Sequence, residues 1–232
     1  MKRRLCCIAI FISSLAIAQM KPAAAAPAVQ DQNKSIFTNS SNIWDVFQNR
    51  RSVRNFKQDS IPVSDIVKII DAARMAPTSG NQQPWKFLVI RDKNKINEMM
   101  NACIKRASDR IEKSNQTDEQ KSKSKETITK RFTDYFSAPV YIVVLTDNES
   151  KYPDYNHWDG PLVAGYLMLA ARALGYGTVF ITDAIPESVT KEVLQIPDQY
   201  TRVCITPLGI PAEWPTTPDK KKLDEFIVYE KF

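Results

Sequence analysis

The run GPLVAGYLMLAARALGYGTVFIT, residues 160–182, changes its period halfway along. Up to Leu174 it is apolar almost all the way round a helical projection, and Gly175 supplies the residue that helices favour for their left-handed ending. From Gly177 to Thr182 the pattern turns into a short strand. A helix without a polar face belongs in the core of a chain or at a contact between two chains.

Three further runs read as strands: WKFLVIRD at 85–92, APVYIVVLTD at 138–147 and TRVCITPLGIP at 201–211. The first two are nearly all apolar, as strands covered on both faces are. Helical spacing begins at Ile43, Val46 and Phe47, with Ser41 or Asn42 placed to cap. A second helix carries Ile66, Val67, Ile69, Ile70 and Ala73, with Ser64 at its N-cap and Pro77 marking its end. Residues 93–137 read as helical and very polar, with Thr117 and Gln120 spaced as a capping box. PESVTKEVLQI, with Pro186 in its first turn, gives the last helix. Strands separated by unequal numbers of helices, with one apolar helix through the middle, predict an α+β sandwich rather than a doubly wound sheet.

The N-terminus is read apart. Lys2, Arg3 and Arg4 precede an apolar run from Leu5 to Ala18, the pattern of a secretory signal and too short to span a bilayer. The sequence therefore predicts a signal peptide at 1–18 with cleavage near Ala18 or Ala25, a polar leader at 19–41 and one domain at 42–232. The mature chain is expected in the periplasm or outside the cell, with no stable membrane anchor. Losing Lys2, Arg3 and Arg4 lowers the formal charge from +6 to +3, too little for the one-sided field of a nucleic-acid binder. Cys103 and Cys204 remain, and free buried thiols are the expected state.

Much chemistry is excluded. With His157 as the one histidine, zinc motifs that need two are ruled out, and no metal site is expected. There is no G-x-S-x-G nucleophile elbow, no P-loop and no G-x-G-x-x-G among six glycines. A phosphorylated ligand would have to be held by side chains.

NRRSVRNFKQ, residues 49–58, offers them. In an extended segment Arg50, Ser52 and Arg54 project to one side while Arg51 points away. Guanidinium forks with a hydroxyl between them suit a compact dianion. Alone, the run reads first as a solvated charge cluster or as cations at a helix C-terminus, and only second as an anion site. The loop APTSGNQQPW, residues 76–85, adds Thr78, Ser79, Asn81, Gln82 and Gln83 between two prolines, a surface of amides and hydroxyls that matches a polar heteroaromatic ring. Lys220 and Lys222 add positive charge near the end.

Together RRSVRNF, AARMAPTSGNQQPWKFLVI, LMLAARALGYGTVFI and PLGIPAEWP resemble the nitroreductase family of FMN-dependent oxidoreductases, over about Ile43 to Phe232. The resemblance implies an α+β sandwich with a central, mostly antiparallel sheet flanked by helices, in an intertwined homodimer with FMN at the subunit interface. It implies that Arg50, Arg51, Ser52 and Arg54 hold the phosphate. Pro77, Thr78, Ser79, Asn81 and Gln83 would approach the flavin from the partner chain, Thr182 and Asp183 would line its ring, and Lys220 and Lys222 would complete the phosphate contact. The implied activity is transfer of hydride from NADH or NADPH through FMN to a small acceptor such as a nitroaromatic or quinone, in two stages, with no acid–base side chain required. Two other readings stay open: the same fold with different redox work, such as reductive dehalogenation, and a non-enzymatic anion-binding module. Export separates such an enzyme from cytosolic nicotinamide.

Overall fold

The computed structural model describes residues 42–232, so the signal and leader readings lie outside it. Its elements run α1 (Ile43–Asn49), α2 (Val63–Ala73), β1 (Trp85–Ile90), α3 (Lys93–Glu112), α4 (Asp118–Tyr135), β2 (Val140–Asp147), α5 (Asn156–Ala173), β3 (Gly177–Thr178), α6 (Glu187–Leu194) and β4 (Tyr200–Gly209). The sheet order is β1-β2-β4-β3 and every pairing is antiparallel. The α+β sandwich is what forms.

Alternation along β2 makes the layers. Val140, Ile142 and Val144 join Ile66, Ile69, Val163 and Leu167 in one core, under α2 and α5. Tyr141, Val143 and Leu145 join Met99, Phe132 and Val189 in the other, under α3, α4 and α6. β2 is buried on both faces because it lies inside the sheet. The composition of β1 predicts the same cover, but it is an edge strand, and only Trp85 and Ile90 at its two ends are buried.

Several local expectations shift. α2 begins at Val63 behind Pro62, with Ser64 already inside the helix, because proline's fixed φ starts a helix without a side-chain cap. The capping box at Thr117 and Gln120 forms, at 3.3 and 3.0 Å, and opens α4. α5 starts earlier than its apolar run: a 3-10 turn at Pro153–Tyr155 leads in, and the Asn156 amide donates to the Asp147 carbonyl at 2.8 Å. Its burial is one-sided within this chain, leaving Trp158, Leu162 and Tyr166 exposed. Among the described residues no helix is long and apolar enough to cross a membrane.

The expected strand at 177–182 shrinks to two residues, with Ile181 rejoining β4 in an isolated bridge to Ile205. Thr178 faces Leu208 and Ile181 exchanges both backbone bonds with Ile205, so the same register puts Val179 opposite Pro207. That pair should also exchange bonds, and proline has no N–H to give.

Cys103 and Cys204 are free and buried, one in each core. Burial pushes both thiols up to about 12, so they pack and do not react.

Two devices place the segments singled out by sequence. Gly177 and Gly209 face each other across β3 and β4. A Cβ on Gly177 would stand 2.7 Å from Val53 Cγ2 and 2.8 Å from Val53 Cβ, and one on Gly209 would stand 2.7 Å from the Phe56 ring. The bare glycines let Val53 and Phe56 sink into the core, and residues 52–57 run along the sheet, with Val53 N donating to Thr178 O at 3.0 Å and Lys57 N to Ile210 O at 2.9 Å. The second device is Asp159, 2% exposed in the first turn of α5. One carboxylate oxygen accepts from the Ser79 N–H at 3.1 Å and the other from the Gln82 amide at 2.8 Å, while Gln82 Oε1 accepts from Tyr152 N at 2.7 Å.

Gly177→Ala should cost about 2 kcal/mol in urea unfolding, because Val53 Cβ is tied to its backbone and cannot swing aside. Asp159→Asn should cost about 1–3 kcal/mol despite its shape, since it keeps one acceptor for two donors and Gln82 cannot flip without losing Tyr152. Faster hydrogen exchange at Ser79 would report the freed loop.

Candidate functional site

α1 ends at Asn49 and Arg50 turns extended, with φ −65° and ψ 131°. Arg50, Arg51, Ser52 and Arg54 therefore leave the helix on a strand-like path. They open onto a recess of about 800 Å³ whose far wall is the C-terminal segment at Pro215–Pro218 and Lys220. Placing that wall is the work of the sheet edge again, because Ala212 N donates to Asn55 O at 3.0 Å and turns the tail back over the arginines.

Arg51 corrects the alternation argument. It lies on the Val53 side of the segment, yet the tail covers that side too, so its guanidinium enters the same recess. Nη1 donates to the carbonyls of Gln48 at 2.6 Å and Arg50 at 2.9 Å, and Nη2 donates to Thr217 Oγ1. Nε is buried with no partner. Arg54 spends one weak bond, 3.4 Å, on the Ser52 carbonyl. No ion pair joins Arg50, Arg51, Arg54 or Lys220 to a carboxylate among the described residues. Four like charges around one hollow, with a buried orphan donor among them, are complementary to an anion with several acceptor oxygens.

Where the tail crosses the end of α5, two residues to which sequence reasoning gave no role at the site meet, Trp214 of the tail and Arg172 of the helix. Trp214 lies under the Arg172 guanidinium, 3.9 Å from its ring centroid. Burial, and then the charge of Arg51, hold the Arg172 pKa below its usual value. The available signal was a lone cation within the apolar run LAARAL. Asp159 was also missed, and Gln82, read from sequence as part of the ligand-facing loop surface, instead ties that loop to Asp159 and Tyr152 once α5 meets it.

The remaining predicted residues lie elsewhere on the chain. Lys222 does not line the recess; its backbone N–H donates to Glu225 at 3.0 Å and starts a 3-10 turn. Pro77, Thr78, Ser79, Asn81 and Gln83 contribute nothing to it either. Their loop turns through left-handed conformations at Gly80, Asn81 and Gln83, with φ of 56°, 53° and 49°. It is tied by Gln83 N to Thr78 Oγ1 at 3.2 Å and leaves Asn81 and Gln83 exposed. Thr182 and Asp183 line a separate hollow of about 390 Å³ with Pro186, Glu187 and Arg202. Arg202 staples that turn to β4, donating to the carbonyls of Thr182 at 2.5 Å and Ile185 at 2.8 Å. One chain thus presents three surfaces that share no residue. His157 is exposed and packs on Trp158, and no cluster suited to a metal ion occurs among the described residues.

Comparison with known proteins gives this geometry a context. The Nitroreductase family model matches residues 47–210, well over half of the chain. An iodotyrosine deiodinase of Thermotoga neapolitana is 30% identical over 174 residues, covering 73% of this chain and 88% of that protein. A protein of Archaeoglobus fulgidus, provisionally named NADH dehydrogenase/NAD(P)H nitroreductase, is 32% identical over 170 residues, covering 71% and 82%. A crystal structure of oxidized iodotyrosine deiodinase bound to FMN and 3-iodo-L-tyrosine shares the fold at a TM-score of 0.65 and 23% identity, covering 82% of this chain and all of that one. This chain belongs to the nitroreductase family.

Proposed function

We propose that the protein is an FMN-dependent oxidoreductase that passes hydride from a reduced nicotinamide to a small organic acceptor. The observation that carries the reading is the uncompensated cationic recess at Arg50, Arg51, Ser52, Arg54 and Lys220, with Arg51 Nε buried and unpartnered. A phosphate monoester supplies the charge and the acceptor oxygens that this hollow lacks. The residues present fit the group: Arg50, Ser52 and Arg54 would take its oxygens, with Arg51 braced behind them and Lys220 at the rim. Bound FMN supplies the hydride chemistry, and the polypeptide supplies binding and orientation. Asp159 holds the amide loop rigid, so Asn81 and Gln83 would meet a flavin edge at little entropic cost. No acid–base pair is required of the side chains.

The three separate surfaces support a two-chain site, in which the loop at 77–83 of one subunit faces the arginines of another. Trp158, Leu162 and Tyr166 on α5 are exposed, as are Phe226, Tyr229 and Phe232 in the tail, and covering them would bury apolar area that a lone chain leaves wet. A second reading keeps FMN and changes the acceptor: the Thermotoga neapolitana relative is named a deiodinase, which favours reductive removal of a halide from an aromatic ring.

Purified protein should show the visible spectrum of bound flavin, or gain it on addition of FMN. Bleaching by NADH or NADPH would support the nicotinamide route, and slow bleaching with turnover of a halogenated phenol under dithionite would support the second. A protein that binds no flavin would end both. Arg54→Ala should weaken FMN binding by roughly ten- to a hundredfold while leaving riboflavin, which has no phosphate, nearly unchanged. Light scattering should give twice the chain mass, and a monomer that still holds FMN tightly would remove the two-chain site.

A further inference from the structure

We infer that Arg172 is a positioning residue for the phosphate recess: by stacking on Trp214 it seats the C-terminal segment as the recess wall. The inference rests on the FMN reading, because it concerns the same hollow.

Arg172 sits in the last turn of α5, where a cation is ordinarily favoured by the helix dipole and reaches for water. Here the guanidinium lies over the Trp214 ring at 3.9 Å instead, and no carboxylate pairs with it among the described residues. Burial and the neighbouring Arg51 both oppose its charge. Plain packing of the tail would be met by an apolar side chain without that penalty. What the cation adds is a directional grip on an indole that remains 39% exposed, too wet to be held by burial alone.

The grip falls where it controls the wall. The tail is fixed at Ala212, whose N–H donates to Asn55 O at 3.0 Å, and at Thr217, which accepts from Arg51. Trp214 lies between them and leads straight into Pro215, so its position sets the path of the residues that face Arg50 and Arg54. Arg51 and Arg172 repel each other across this junction. An anion that neutralises Arg51 relieves the repulsion, so tail seating and anion binding reinforce each other, and by linkage the effect is reciprocal.

The test uses the full chain and its Arg172→Ala, Arg172→Lys, Trp214→Ala and Arg172→Ala/Trp214→Ala variants. FMN and riboflavin are titrated by flavin fluorescence, and trypsin cleavage at Lys220 to Lys222 is timed with and without FMN. Arg172→Ala should weaken FMN about three- to tenfold, leave riboflavin within about twofold and speed tail cleavage by a similar factor. Arg172→Lys should recover most of both, and the double variant should be no worse than Trp214→Ala. Unchanged FMN affinity, a parallel loss of riboflavin, or additive losses in the double variant would each overturn the role. If the parent binds FMN no tighter than riboflavin, the phosphate reading itself fails. The trypsin rates then judge the seating alone, faster cleavage supporting it and unchanged cleavage overturning it.

Discussion

Two glycines opposite each other on neighbouring strands hold the key position. Gly177 and Gly209 leave bare backbone where any side chain would collide with Val53 or Phe56. Because those two residues can sink into the core, the segment between them is pinned along the sheet edge and its polar side chains turn outward. The same edge receives the tail at Ala212, which brings Pro215–Pro218 over the arginines. A floor and a wall, some 160 residues apart in sequence, thus depend on one small patch of exposed main chain.

That arrangement concentrates charge. Arg50, Arg51, Arg54 and Lys220 share a hollow with Arg172 close behind, and none is neutralised by a carboxylate among the described residues. Such a cluster opposes the compact state until an anion arrives, and any ligand that binds only the folded chain returns its binding energy as stability. The chain accordingly places its strongest constraints around the cluster rather than in it: sheet hydrogen bonds below, an indole stack beside it and the Asp159 clamp on the loop.

The fold was legible where a pattern depends on one element at a time. The apolar face of α2 and the nearly unbroken apolar runs of α5 and β2 are each visible within one element, and the Thr117 and Gln120 box joins neighbours in sequence. Reading failed where a partner strand decides. The strand after Gly177 is apolar enough to continue, but Pro207 across the sheet removes the hydrogen bond that would extend it. β1 has the composition of a central strand and lies at the edge, because strand order is not written in any one strand.

The sequence by itself determined the chemistry on offer: three arginines and a serine after a helix, an amide loop between prolines, and the absence of glycine phosphate loops and histidine pairs. Those are properties of residue type and short spacing, which survive without coordinates. Only the tertiary structure decided that Arg51 joins Arg50 and Arg54, that Lys220 reaches them and Lys222 does not, and that Arg172 and Asp159 support the two segments. The physical reason is distance along the chain: each of these choices is made by backbone hydrogen bonds and close contacts between residues far apart in sequence, and no local pattern records them.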